Sequence, residues 1–359
     1  MIDEREIKSL LKKLIRIRSV SGHEGDILKF INSILSDIGY NTAKIFIEKG
    51  KRERYNLICG DGEVGICAHV DTVPELGMKN AFSPYEKNGI IYGRGSSDNK
   101  GSIAGLILSL YHYKKVAKKL PKLFIAFTVD EEEWTADGAK KLIEHLDGLK
   151  EMIVLEPTDL KICTEQEGSF EFELEVEANL SAHASFFEKY HNPIKILFHV
   201  IEKIEKDLKR KTNILEISGG WRYYAVPKNA KSLVEIKMKK GEKKEWIENR
   251  IKEMIKSESK KFENTRINFK IIDIEEYLIF KKGKLVERLE KAFRKEGLAP
   301  AFGVMTSWTE AAEFHKAGIE CVVFGPGNLE HSHTDKEHIK IKDIKTFSKI
   351  LLNLFVLYL

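Results

Sequence analysis

The chain has only four cysteines in 359 residues, Cys59, Cys67, Cys163 and Cys321. They are widely spaced and include no Cys-x-x-Cys pair, so neither a disulfide framework nor a thiolate zinc site is expected. That usage suits a reducing compartment. Apolar runs are short, and none approaches the roughly 20 residues that span a bilayer, so no membrane segment is expected. The first residues, Met1-Ile2-Asp3-Glu4-Arg5-Glu6, are charged and lack the apolar core of a signal peptide. A cytoplasmic protein is the expectation. Charge of one sign is scarce as well. Lys and Arg number 60 against 55 Asp and Glu, a net charge of +5, with the two signs interspersed. No basic block of the kind that tracks nucleic acid is present, so no nucleic-acid partner is expected. The small positive surplus favours an acidic substrate or protein partner. Internal repeats and low-complexity segments are absent.

What the chain does have is enough length for more than one core, which predicts two domains. Ile7, Leu10, Leu11, Leu14 and Ile15 fall at helical spacing over 3–17, with Asp3 as N-cap. A second helix carries Ile27, Phe30, Ile31, Ile34 and Leu35 and closes at Gly39. Strands are predicted at 43–48, 55–59, 64–68 and 90–92, and a helix over 101–118. Leu123 to Val129 is a continuous apolar run, the mark of a strand buried on both faces. Helix 136–146 and strand 152–155 follow. Strands alternating with helices predict an α/β layered domain.

After Gly168 the texture changes. Phe170, Phe172, Leu174 and Val176 alternate with charged residues, as in a sheet with one wet face. Helix 193–208, strands 213–217 and 232–238, helix 244–256 and strand 266–272 complete a βαββαβ order, which is ferredoxin-like. The α/β pattern resumes near 275, with helices 284–295 and 308–317, strand 319–324, a loop over 328–338 and a last helix 343–358. The expected organisation is therefore a discontinuous catalytic domain, 1–166 with 275–359, interrupted by an inserted domain at 167–274. A cleft between two such domains is a common place for substrate.

Five stretches set acidic residues and His beside strand ends: His69 with Asp71, Asp98, Asp130-Glu131-Glu132-Glu133, Glu156, and His331-Ser332-His333. The predicted first domain supplies all of them. Strand ends in an α/β sheet converge on one crevice. Side chains two apart on an extended chain share a face, so Asp71 can hold the imidazole of His69 in one orientation. A His and carboxylate set without thiolates suits zinc in an open, catalytic site. The donors exceed one tetrahedral site and suit two metals about 3.5–4 Å apart that share a carboxylate.

The ordered motifs His69-Val70-Asp71-Thr72-Val73-Pro74, Gly93-Arg94-Gly95-Ser96-Ser97-Asp98-Asn99-Lys100-Gly101, Phe127-Thr128-Val129-Asp130-Glu131-Glu132, Leu155-Glu156-Pro157-Thr158, and Gly325-Pro326-Gly327 with His331-Ser332-His333-Thr334-Asp335-Lys336-Glu337 resemble the co-catalytic zinc exopeptidases and deacylases. That family includes acetylornithine deacetylase, succinyl-diaminopimelate desuccinylase and carboxypeptidase G. The likeness covers nearly the whole chain. It implies a zinc-exopeptidase-like α/β/α catalytic domain with a ferredoxin-like lid and dimerisation domain. It also implies two zinc ions per chain, which cobalt can replace. By the resemblance His69 and Glu156 hold the first zinc, Asp98 bridges, Glu132 and His333 hold the second, and Asp71 orients His69. Glu131 is then the general base. Because Glu133 follows, Glu132 as base with Glu133 as ligand is the alternative register. His183, in Ser181-Ala182-His183, matches the family's lid histidine, which reaches the partner subunit's site, and so implies a homodimer.

The resemblance points to a metal-dependent amide hydrolase that frees an amino acid from an N-acyl block. The compact lid looks like the subgroup that releases lysine or ornithine from a small acidic amino-group carrier protein in lysine and arginine biosynthesis. The rival substrates are those of acetylornithine deacetylase, succinyl-diaminopimelate desuccinylase and a dipeptidase. The rival from another class is a binding protein that kept the fold and lost catalysis. Three positions depart from the family: Tyr224-Ala225-Val226-Pro227 where relatives often read Asn-Val-Val-Pro, Lys237 near a frequent Arg, and the segment Met305 to Ala311. These tend to touch substrate or lid, and Arg222 is the candidate for a substrate carboxylate.

Overall fold

The apolar run Leu123 to Val129 forms the strand Phe124–Thr128 in the computed structural model, which describes residues 2–48, 54–133 and 135–357. It lies inside a nine-stranded mixed sheet. Val64–His69 runs parallel beside it, with His69 opposite Thr128. Glu151–Val154 runs parallel on the far side of Val64–His69, and Glu320–Val323 parallel beyond that. Four adjacent strands thus end at one edge of the sheet, and the residues that follow them emerge together. Antiparallel strands Arg54–Cys59 and Thr42–Glu48 extend one side, and Ile162–Gln166 the other.

The helices Glu4–Arg16, Gly25–Ile38, Lys100–Ala117, Lys284–Lys295 and Ile341–Val356 share one apolar core with the sheet. Asp3 caps the first through a reciprocal pair with Glu6, and Gly39 ends the second in the left-handed region. The helix Lys100–Ala117 is buried on nearly every face of its first three turns. Gly105 lets the last helix pack directly against it, since a Cβ there would lie 2.6 Å from the Phe347 ring.

Contacts divide the chain into two units. The first comprises 1–165, 279–305 and 309–359, and the second 166–278 with 306–308. The second unit is a four-stranded antiparallel sheet in the order Asn213–Gly219, Asn229–Met238, Gly168–Ala178, Thr265–Glu275. The helices Pro193–Leu208 and Lys244–Ser259 pack on it around Phe170, Phe172, Leu174 and Val176. This is the βαββαβ arrangement expected from the alternating pattern.

Some elements differ from their expected extents. The helix expected over 136–146 is Asp137–Ile143. The helix expected over 308–317 is Ala311–Lys316, because Thr309 and Glu310 are drawn into hydrogen bonds ahead of it. The strand Ile162–Gln166 was hidden by its polar end, and His338–Lys340 forms a short strand inside the expected loop. Residue 358, expected to end the last helix, lies outside the described residues. No helix among the described residues is long and apolar enough to cross a membrane.

Candidate metal centre

The ends of three parallel strands bring together His69 with Asp71, the 130–133 stretch and Glu156. The loop that opens helix Lys100–Ala117 adds Asp98, and the loop after Glu320–Val323 adds His333. His69 Nε2 lies 3.0 Å from Asp98 Oδ1, 3.8 Å from Glu156 Oε1 and 4.0 Å from Glu131 Oε2. His333 Nε2 lies 2.9 Å from Glu132 Oε2 and 3.7 Å from Asp98 Oδ2. The two oxygens of Asp98 therefore face two different histidines. One donor group is His69, Asp98 and Glu156; the other is His333, Asp98 and Glu132. His331 is not part of either, since its ring stacks on His338 at 4.1 Å. Glu133 is exposed, and Glu131 and Glu132 are the pair turned inward.

Sheet geometry carries the first group. His69 ends its strand, and the Leu155 amide, just before Glu156, donates to the carbonyl of Cys67 at 2.8 Å. Asn99, beside Asp98, donates its side-chain amide to the Leu155 carbonyl. Asp71 lies beyond the strand rather than on its face, so alternation does not place it. Its carboxylate instead reaches back to 3.4 Å from His69 Nδ1. It also accepts the Ser21 hydroxyl at 2.7 Å and the amides of Glu131 and Glu132 at 3.3 and 3.0 Å.

The turn that carries the two glutamates is fixed from behind. Asp130 adopts φ +71°, uncommon for a residue with a side chain. Its carboxylate accepts from Arg54 and from Thr135, the latter at 2.7 Å. Asn56 accepts the Val129 amide at 3.2 Å and donates to the Gly138 carbonyl at 2.8 Å. Only glycine fits at 138, because a Cβ would sit 2.0 Å from the Val129 carbonyl oxygen.

Burial is the largest influence on Glu131, Glu132 and Glu156, and it pushes all three carboxyls up. Asp98 and Asp71 are also penalised by burial, but their pairing with His69 outweighs it and holds both below the usual range. Burial disfavours the His69 imidazolium too, yet Glu131 and Glu156 beside it hold its pKa well above the ordinary value. His333 follows the same pattern through Glu132, at about 9. Buried Glu132 Oε1 and Glu156 Oε1 have no hydrogen-bond partner among the described residues. Crowded carboxylates with free buried oxygens and two histidines form a site suited to divalent cations. His69, Asp98 and Glu132 each offer an atom within 4.8 Å of the others, so the residues fit the metals that the sequence implied.

Two carboxylates at this site had no role assigned from sequence. Glu310 is fully buried and donated to by Thr128 at 2.8 Å and Cys67 at 3.4 Å, and burial lifts its pKa to about 7. Glu337 is also fully buried and binds the loop that carries Asp98. In the sequence the segment Met305 to Ala311 is a departure from the family motif, and the Glu of His333-Thr334-Asp335-Lys336-Glu337 is one member of a pattern. His183 and Arg222 belong to the second unit. His183 Nδ1 accepts the Ser185 amide at 3.3 Å, and its ring meets Tyr224 edge-on at 5.4 Å. Arg222 is exposed.

Comparison with known proteins shows the family. The model of peptidase family M20/M25/M40 matches residues 65–356. The chain is 26% identical to a succinyl-diaminopimelate desuccinylase of Rickettsia rickettsii, over 96% of this chain and 97% of that one. It is 25% identical to a LysW-lysine/LysW-ornithine hydrolase of Saccharolobus solfataricus, over 96% and 95%. A solved tripeptidase from Staphylococcus aureus superposes with a TM-score of 0.82 at 20% identity, covering 100% of this chain and 99% of that one.

Proposed function

The chain belongs to peptidase family M20/M25/M40 and is an amidohydrolase, and we propose that it is a zinc enzyme releasing lysine or ornithine from a small acidic carrier protein. The observation that carries the metal reading is Asp98, whose two oxygens are divided between the His69–Glu156 and His333–Glu132 groups. Zinc suits a donor set of imidazoles and carboxylates without thiolate, and cobalt can replace it. Two zinc ions held there supply Lewis acidity toward the amide carbonyl oxygen and lower the pKa of an attacking water.

Glu131 is the general base. Its nearest histidine nitrogen is 4.0 Å away, against 2.9 Å between Glu132 and His333, so it is the less committed of the two. It takes a proton from water and passes it to the departing amine. Asp71 holds Nδ1–H of His69, which leaves Nε2 as the metal ligand. On the second unit, the Ser185 amide donates to His183 Nδ1, which puts the proton on Nε2. In a homodimer that N–H is the donor offered to the developing oxyanion of the partner's site. Strand Asn213–Gly219, an exposed sheet edge that carries Ile214, Leu215 and Ile217, is the kind of surface a second copy covers. Arg222 receives the substrate carboxylate. The reaction belongs to lysine or arginine biosynthesis in the cytoplasm.

A second reading, succinyl-diaminopimelate desuccinylase, is supported by the equally similar Rickettsia relative. Both reactions free an amine from an acyl group and differ in what flanks the amide. Acetylornithine deacetylase and dipeptidase activities use the same chemistry. A catalytically dead binding protein is disfavoured because no expected donor or base is missing. The purified zinc protein is to be incubated with carrier-linked lysine, N-succinyl-diaminopimelate, N-acetylornithine and dipeptides. The highest kcat/KM is expected on the carrier adduct. Turnover of the succinyl substrate with none of the adduct would replace the first reading by the second.

A further inference from the structure

We infer that Glu337 is a positioning residue for the second metal position, the one between Asp98, Glu132 and His333. The inference rests on the metal reading proposed above and assigns a task to a residue outside its ligand set. Glu337 is fully buried. Its Oε1 accepts the amides of Ser97 at 3.0 Å and Asp98 at 3.1 Å. Its Oε2 accepts the Gly95 amide at 3.1 Å and Arg94 Nη1 at 2.6 Å. Its own carbonyl accepts the Gly93 amide at 3.1 Å. One side chain thus captures three amides of the loop that presents Asp98. The Arg94 fork extends the anchor to the carbonyls of Pro74 and Glu75 at 2.9 and 3.0 Å.

Glu337 stands four residues after His333, on the same loop. That loop needs an anchor. His333 sits at φ +59° and its side chain is 46% exposed. The sheet that fixes His69 and Glu156 does not reach it. The carboxylate of Glu337 links the loop bearing His333 to the loop bearing Asp98, beside a second link in which the Ser97 hydroxyl pairs with the Asn328 backbone at 3.2 Å. Of the two, Glu337 is the one that grips the Asp98 amide itself, across the 3.7 Å between His333 Nε2 and Asp98 Oδ2.

The two metal positions therefore depend on Glu337 unequally. The first keeps His69 and Glu156, which neighbouring parallel strands hold in register. The second relies on His333, Glu132 and the far oxygen of Asp98. A glutamine at 337 has one acceptor oxygen, and its amide nitrogen faces either Arg94 or the backbone N–H groups. Half of the anchor is lost and a buried donor meets donors.

The test is a titration of metal-free Glu337→Gln and wild type with zinc, followed by calorimetry, with far-UV circular dichroism to confirm folding. Wild type is expected to take two metals. The variant is expected to keep the first within about threefold and to lose about 10- to 100-fold at the second, and excess zinc should restore its kcat. Arg94→Lys, which loosens the same anchor from its other end, should shift the second position in the same direction if Glu337→Gln does not fold. Equal weakening at both positions, or no weakening at either, overturns the inference while the metal reading stands. Wild-type protein that takes no second metal overturns that reading, and the inference with it.

Discussion

The carboxylate of Asp71 accepts the backbone amide of Glu132 at 3.0 Å while facing His69 Nδ1 at 3.4 Å. One residue thus contacts both His69, the proposed first-metal ligand, and the turn bearing Glu131 and Glu132. Asp71→Ala should cost more than loss of an ordinary outer partner, about 100-fold in kcat/KM, with weaker metal retention. Activity and metal content within threefold of wild type would show that the turn is held without it.

His183 offers Nε2–H because Nδ1 is already an acceptor. If that proton meets the oxyanion, His183→Ala should lower kcat by about 10²–10³ and leave zinc content unchanged. Steady-state kinetics with metal analysis of the same sample checks both. Normal turnover would remove His183 from the chemistry.

Metal uptake should expel protons. Burial raises Glu131, Glu132 and Glu156, and neighbouring carboxylates hold His69 and His333 protonated in the metal-free protein, His333 to about 9. Cations and these protons compete for the same atoms. Affinity should therefore rise between pH 5 and pH 8. Calorimetry in buffers of differing ionisation enthalpy counts the protons released. Uptake without release, or tighter binding at pH 5, contradicts this account of the cluster.

Glu310 gives a separate pH signature in the metal-free protein. Its pKa is about 7 when folded, against about 4.3 in an unfolded chain. The folded form keeps a proton that the unfolded form gives up, so this contribution is full below about pH 4 and is lost as pH rises through 7. Glu310→Gln removes the titration. Between pH 4 and pH 8 the urea stability of the variant should gain about 3 kcal/mol relative to wild type. A pH-independent difference would mean that burial does not shift the titration of Glu310.

Much of the proposed ligand set was legible in the sequence because His69, Glu132 and Glu156 follow apolar strands, and parallel neighbours end at a common edge. His69 after Val64–His69 and Glu156 after Glu151–Val154 are the plainest cases. The alternation from Phe170 to Val176 made the second sheet legible in the same way. Glu337 and Glu310 were not legible as anchors, since they act on groups about 240 and 180 residues away and no periodicity records such contacts. The choice between Glu131–Glu132 and Glu132–Glu133 was open for a different reason. It depends on the backbone turn at Asp130 and on two amides captured by Asp71, which no spacing of side chains reveals. Short strands such as His338–Lys340 span little more than one alternation and carry no pattern of their own.

The most direct test of the whole account is the metal content and turnover of Glu131→Gln, Glu132→Gln and Glu133→Gln measured side by side on the best substrate. Glu131→Gln should keep two zinc ions and lose about 10²–10⁴-fold in kcat. Glu132→Gln should lose the second metal, and Glu133→Gln should change neither quantity. A metal-full, inactive Glu132 variant beside a metal-depleted Glu133 variant would contradict the assignment of base and ligand.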